Sequence, residues 1–155
     1  MKRTILSALL LAAAVATTGC GPHAGVATPP GFAVLPDQQE YVYRAASAEG
    51  VVLAVRAESD EPRGNLDFWA DALDRQLQRS GYVPEGAAVD VRTATGRTGR
   101  EIKYTREANG RKVRFWTAVV VADGRIWVVE AGGDADRFKG KVEQGVQRAI
   151  ETLAL

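Results

Sequence analysis

Two dipeptides constrain this chain more than anything else in it: Asn109-Gly110 and Asp123-Gly124, each set between runs of alternating apolar residues. Asn-Gly and Asp-Gly accept the positive φ angles of a two-residue hairpin turn, whose twist matches that of the strands it joins. Three consecutive antiparallel strands follow, and two-residue loops fix their register. Val120 is predicted opposite Trp127, Val119 opposite Val128, Tyr104 opposite Phe115 and Lys103 opposite Trp116. One face then carries Ile102, Tyr104, Val113, Phe115, Val119, Val121, Ile126 and Val128. The other carries Trp116, Ala118, Val120, Trp127, Val129 and Ala131. A sheet wetted on one side shows polar residues at alternate positions; here both faces are apolar, so each needs cover.

Two helices are the predicted covers. The first has Asn65 as N-cap, an apolar stripe through Leu66, Trp69, Ala70, Leu73 and Leu77, and Gly81 after Ser80 as a left-handed stop. The second is expected to start near Asp134 or Asp136 and carries Phe138, Val142, Val146, Ala149, Ile150 and Leu153 at helical spacing. Gln39–Ala46 and Val51–Glu58 alternate around Glu49-Gly50 as a further hairpin, with short strands at Gly31–Val34 and Ala88–Thr93. The fold class is therefore α+β: three strands, a helix, four strands and a helix, making an antiparallel sheet between helices, an α/β/α sandwich.

The start of the chain bears on location. Lys2 and Arg3 precede an apolar run, Ile5 to Ala16, and then Thr17-Thr18-Gly19-Cys20, the layout of a secretory signal. The run has about a dozen residues against the roughly 20 of a membrane-spanning helix. Cys20, the chain's single cysteine, follows a glycine and resembles the lipobox of bacterial lipoproteins, although Thr17 stands where that pattern usually shows leucine. The resemblance implies removal of residues 1–19 and acylation of Cys20 as the first mature residue. The palmitate-type chains would hold the protein to a membrane in the cell envelope, outside the cytoplasm. Gly21, where aspartate would resemble an inner-membrane retention signal, favours the outer membrane if the organism has one, and otherwise the outer face of the cell membrane. An ordinary signal peptide cut near Gly19 is the other reading. Residues 20–30, with Pro22, Pro29 and Pro30, read as a flexible spacer, and residues 31–155 as one domain.

Composition excludes some partners. Lys2 and Arg3 account for two of the 20 Lys and Arg, so 18 remain against 19 Asp and Glu once the signal is removed. A body with that balance has no electrostatic basis for nucleic-acid binding. With one cysteine there is no internal disulfide, and stability rests on packing.

The opening Pro30-Gly31-Phe32-Ala33-Val34-Leu35-Pro36, the helix after an acidic loop, Gly81-Tyr82, the Asp123-Gly124-Arg125 hairpin and the Phe138-led last helix resemble the PsbP-like fold over about residues 29–155. Its small bacterial lipoprotein branch, related to DcrB, is included in the likeness. Members of that fold mostly act as binding or assembly subunits, so the resemblance implies a non-enzymatic role with a protein partner. A cone-shaped domain of the ketosteroid-isomerase kind usually places helices before the long strands, unlike the order here.

No catalytic constellation is present in the sequence. The sole histidine, His23, lies in the expected spacer, which removes a Ser-His-acid triad. Gly133 to Lys141 has the wrong glycine spacing for a phosphate loop and too few acids for a calcium loop. No metal or cofactor is expected. Arg92, Arg97 and Arg100, around Gly96 and Gly99, are candidates for anion binding. Trp116, flanked by Lys103 and Arg114 and expected to be partly exposed near the charged hairpin tip, is the candidate partner-binding residue. Partner binding heads the reading. A carrier or sensor of a small apolar ligand, with a pocket between sheet and helix lined by tryptophans, is the alternative, and a hydrolase ranks last.

Overall fold

A computed structural model of the chain describes residues 21–36, 38 and 40–155. The proposed signal peptide and Cys20 lie outside the described residues. The eight strands are β1 (Phe32–Val34), β2 (Tyr43–Ser47), β3 (Val52–Ser59), β4 (Val83–Pro84), β5 (Val89–Arg92), β6 (Thr98–Ala108), β7 (Arg111–Ala122) and β8 (Arg125–Asp134). The helices are α1 (Leu66–Arg79) and α2 (Lys141–Glu151). All pairings are antiparallel, in the order β1-β2-β3-β8-β7-β6-β4, with β5 also on β6.

The two hairpins form as their turn residues dictate. Asn109 and Asp123 both have φ of 53°, and Gly110 and Gly124 both 72°, so each turn has the paired positive angles that Asn-Gly and Asp-Gly tolerate. The register places Lys103 opposite Trp116, Tyr104 opposite Phe115, Val119 opposite Val128 and Val120 opposite Trp127. Pairing of β3 with β8 brings the early hairpin beside the late one and closes the sheet around its most apolar strands.

On one face, Leu53, Val55, Trp116, Val120, Trp127 and Val129 form the main core beneath α2, with Phe138 and Leu153 from either side of that helix. On the other, Leu66, Trp69 and Leu73 of α1 pack on Val119, Ile126 and Val128. α1 begins as expected: Asn65 Oδ1 accepts from the Phe68 amide at 2.8 Å. It ends before Gly81, at φ 86°.

Three expectations need correction. α2 begins at Lys141 rather than near Asp134 or Asp136, because β8 runs on to Asp134, paired with Val113. Asp134 then closes a turn by accepting from the Asp136 amide at 2.9 Å. The two-residue β4 escaped prediction, being too short to alternate. The segment expected to be a spacer up to residue 30 is docked on the α2 side. Gly25 bridges to Ala154, Ala24 and Val26 join the core, and Pro29 is buried beside Gly145.

Candidate functional site

The two helices are seated very differently. α2 buries Gly145, Val146, Ala149 and Ile150, whereas α1, three residues longer, fully buries only Ala70. Polar bonds hold α1 toward β6. Asp67 meets Arg100 at 3.0 Å, and Asp74 accepts from the Tyr104 hydroxyl at 2.9 Å. At its start, Trp69 Nε1 donates to Asp60 Oδ1 at 2.7 Å. No comparable bond ties α1 to β3 among the described residues, and a groove of about 220 Å³ lies between them. Its floor is Val119, Ile126 and Val128, its helical wall Trp69, Ala72, Leu73 and Gln76, and its opposite rim Arg56, Glu58 and Ser59. On the outer side of α1 a shallow depression runs from Phe68 past Ala72 to Arg79, so Ala72 lines both concavities. Phe68 is 51 % exposed, an aromatic off the helix's apolar stripe.

The rim charge is internally compensated. Arg56 lies 3.0 Å from Glu58 and 3.3 Å from Glu130. Burial works against its charge, yet the charges and hydrogen bonds of Glu130 and Glu58 outweigh it and raise the guanidinium pKa. Beyond this ion pair the same face stays shallow and open, along Tyr41, Val52, Ala54 and Phe115. Cover for both faces was expected; α1 packs over β6, β7 and the Ile126 and Val128 part of β8, and leaves the β3 side of its face open.

The trio Lys103, Arg114 and Trp116 does come together, but inside the protein. Trp116 is 1 % exposed, which corrects the expectation of a partly exposed indole. Its ring is roofed by Phe138, with centroids 5.0 Å apart, by Lys103 Nζ at 3.6 Å and by the Arg114 guanidinium at 5.8 Å. Cross-strand reasoning could not find the roof, because Phe138 arrives from the turn after β8. Beneath it Glu101, also 1 % exposed, has Oε1 3.4 Å from Lys103 Nζ without hydrogen-bond geometry, while Oε2 accepts from Gln147 Nε2 at 3.3 Å. Arg114 is committed to Glu85 at 3.2 Å and to the Phe138 carbonyl at 3.1 Å. This cluster fastens α2 to the sheet, and Trp116 offers no surface to a partner.

The arginine trio does not converge on one anion site. Arg97 bonds Asp123 at 3.1 Å, and Arg100 bonds Asp90 at 2.7 Å and Asp67 at 3.0 Å. The Asp90 hydrogen bond is the leading cause of Arg100's raised pKa. Arg92 reaches the Gly96 carbonyl at 3.4 Å. Two of the three guanidinium groups thus already hold carboxylates.

No group of three or more His, Cys, Asp or Glu that could hold a metal exists among the described residues, and no described helix is long and apolar enough to cross a membrane. What the site offers is shape and apolar area under a polar rim. Of the residues that build it, Leu73 was read from sequence only as part of the apolar stripe of α1, and Ala72, Gln76 and Arg56 were not singled out. Phe68, off the helical stripe, was the available signal.

No protein-family model and no curated protein matches the chain. Solved structures do. LpqN, involved in cell envelope biogenesis of Mycobacterium tuberculosis, is similar with a TM-score of 0.63 and 13 % identity, over 85 % of this chain and 83 % of that one. PA94 of Pseudomonas aeruginosa, a protein of unknown function, gives 0.53 and 13 % over 88 % and 87 %. The cyanobacterial PsbP of Synechocystis sp. PCC 6803 gives 0.54 and 11 % over 90 % and 97 %. At these identities the likeness speaks to the fold, and the chain has the PsbP-like fold.

Proposed function

We propose that this is a lipid-anchored envelope protein that catalyses no reaction and engages a partner protein through the α1 side of its sheet. The observation that carries this reading is the placement of α1 as a ridge between two concavities, with an apolar groove of about 220 Å³ along β3. Sites for whole small ligands typically run about 300–1,000 Å³, so the groove suits an inserted apolar side chain of a partner better than a carried molecule. The lipobox-like Thr17 to Cys20 supports anchoring. A shared fold with a protein of cell envelope biogenesis supports an envelope setting. The paired charges around the groove give binding without chemistry.

The test uses Ala72, an exposed helix position lining both concavities. Ala72→Gln keeps helix propensity within a few tenths of a kcal/mol while placing a longer polar side chain on the edge that the two hollows share. In-cell crosslinking followed by mass spectrometry should capture a partner with the natural chain and lose it with Ala72→Gln at unchanged melting temperature. Capture that ignores the substitution would move the interface elsewhere. A fluorescence change of the purified protein on adding lipid extract alone would favour the carrier instead.

A further inference from the structure

The docked N-terminal segment determines how far the body can stand from its anchor. Gly25 and Ala154 exchange two backbone hydrogen bonds, 2.8 and 2.9 Å. The Tyr43 hydroxyl reaches Thr28 Oγ1 at 2.9 Å, and Pro29 is buried against α2 at Gly145. Only four residues, Gly21 to Ala24, separate Cys20 from the first residue bonded to the end of the domain, Gly25. Five Cα steps from Cys20 to Gly25 span at most about 18 Å, against about 40 Å if the chain were loose to Gly31. A domain of about 125 residues has a radius of gyration of about 14 Å, so the longer tether would let any side reach the bilayer and the shorter one does not.

The Gly25–Ala154 bridge lies at one end of the sheet. The Ala94 amide donates to the Leu153 carbonyl at 3.0 Å, placing the Thr93–Arg97 turn beside Ala154, and Arg97 bonds Asp123 of the β7–β8 turn at 3.1 Å. The opposite end carries the β6–β7 hairpin tip with Arg106, Arg111 and Lys112, an eleven-residue strand away, about 33 Å. We propose that the end built from Ala154, the Thr93–Arg97 turn and the Asp123-Gly124 turn lies against the lipid surface, and that the basic hairpin tip points away from it. Arg92, whose guanidinium is on the Gly96 carbonyl rather than a carboxylate, sits at the lipid end, where phosphate head groups would meet it. The groove beside α1 then runs roughly along the membrane normal, since β3 and β8 do.

This orientation rests on the lipid at Cys20, and the two are tested separately. Intact mass of the natural product reads the acylation. Orientation is read on the chain from Cys20 onward, coupled through its sole thiol to a maleimide phospholipid in nanodiscs doped with a gadolinium-chelating lipid. Amide relaxation at Ala94, Thr95 and Gly96 should be enhanced severalfold over that at Asn109 and Gly110. Ten Gly and Ser residues inserted after Gly21 should erase the difference. Equal relaxation at the two ends without the insertion, or a larger effect at Gly110, overturns the orientation even where the natural product is acylated.

Discussion

Trp69 and Asp60 form the hinge pin of α1: the indole Nε1–H donates at 2.7 Å to a carboxylate only 9 % exposed, whose same oxygen accepts from the Gly64 amide at 2.9 Å. Asp60→Ala strips both donors of their acceptor. Bonds to a charged group contribute about 1.5–3 kcal/mol, so the substitution should cost about 2–3 kcal/mol. Asp60→Asn, which keeps one acceptor oxygen, should cost less. Urea unfolding checks the ranking, and a red shift of Trp69 emission in Asp60→Ala would show the helix start loosened.

Tyr104 carries a pH signature. Its hydroxyl is fully buried and donates to Asp74 at 2.9 Å; burial, then the bond and charge of Asp74, hold its pKa well above the usual tyrosine value. Because the folded-state pKa lies above the unfolded value of about 10, its contribution is complete below about pH 10 and is lost as pH rises from there toward the folded value. Tyr104→Phe should cost about 1–2 kcal/mol at pH 8 and flatten the loss of stability above pH 10. Chemical denaturation of both proteins at pH 8 and pH 11 compares the slopes; a steeper alkaline loss in Tyr104→Phe would contradict this assignment.

Lys103 compensates a buried acid. With Glu101 1 % exposed and its Oε1 3.4 Å from Lys103 Nζ, Lys103→Met keeps the stem over Trp116 but leaves the carboxylate without its cation. Breaking such a pair from one side costs about 3 kcal/mol or more. Adding Glu101→Leu should recover part of that loss, because both charges are then gone. A double-mutant cycle by urea denaturation measures the coupling; additive losses would mean that the two charges do not act as a pair.

The strands were legible where local chemistry decides them. Asn109-Gly110 and Asp123-Gly124 dictate turn geometry by themselves, and two-residue loops leave one register, so the facing of Val119, Val120, Tyr104 and Trp116 followed from counting. The site was illegible because tertiary contacts make it. Nothing local says that Asp67 and Asp74 will draw α1 toward β6 and open a groove by β3, nor that Phe138 will roof Trp116. The docking of Gly25 and Pro29 was hidden for a similar reason. A Pro-rich stretch without periodicity reads as a linker unless its receiving surface, Gly145 and Ala154, is known.

That receiving surface supplies the last prediction. Gly145 lies inside α2, where alanine would normally stabilise by about 1 kcal/mol through helix propensity. A Cβ there, however, would sit 2.9 Å from Pro29 Cβ, closer than side-chain carbons pack, and Pro29 belongs to the segment more easily displaced than the helix. Gly145→Ala should therefore leave the global melting temperature within about 2 °C of the natural chain, the helix gain offsetting the lost docking. The Gly25 and Ala154 amides, whose mutual bonds would then be broken, should exchange at least tenfold faster. Hydrogen exchange of those amides decides it. Unchanged protection with a raised melting temperature would mean that Pro29 moves aside without releasing the segment, and that glycine at 145 is not what allows the docking.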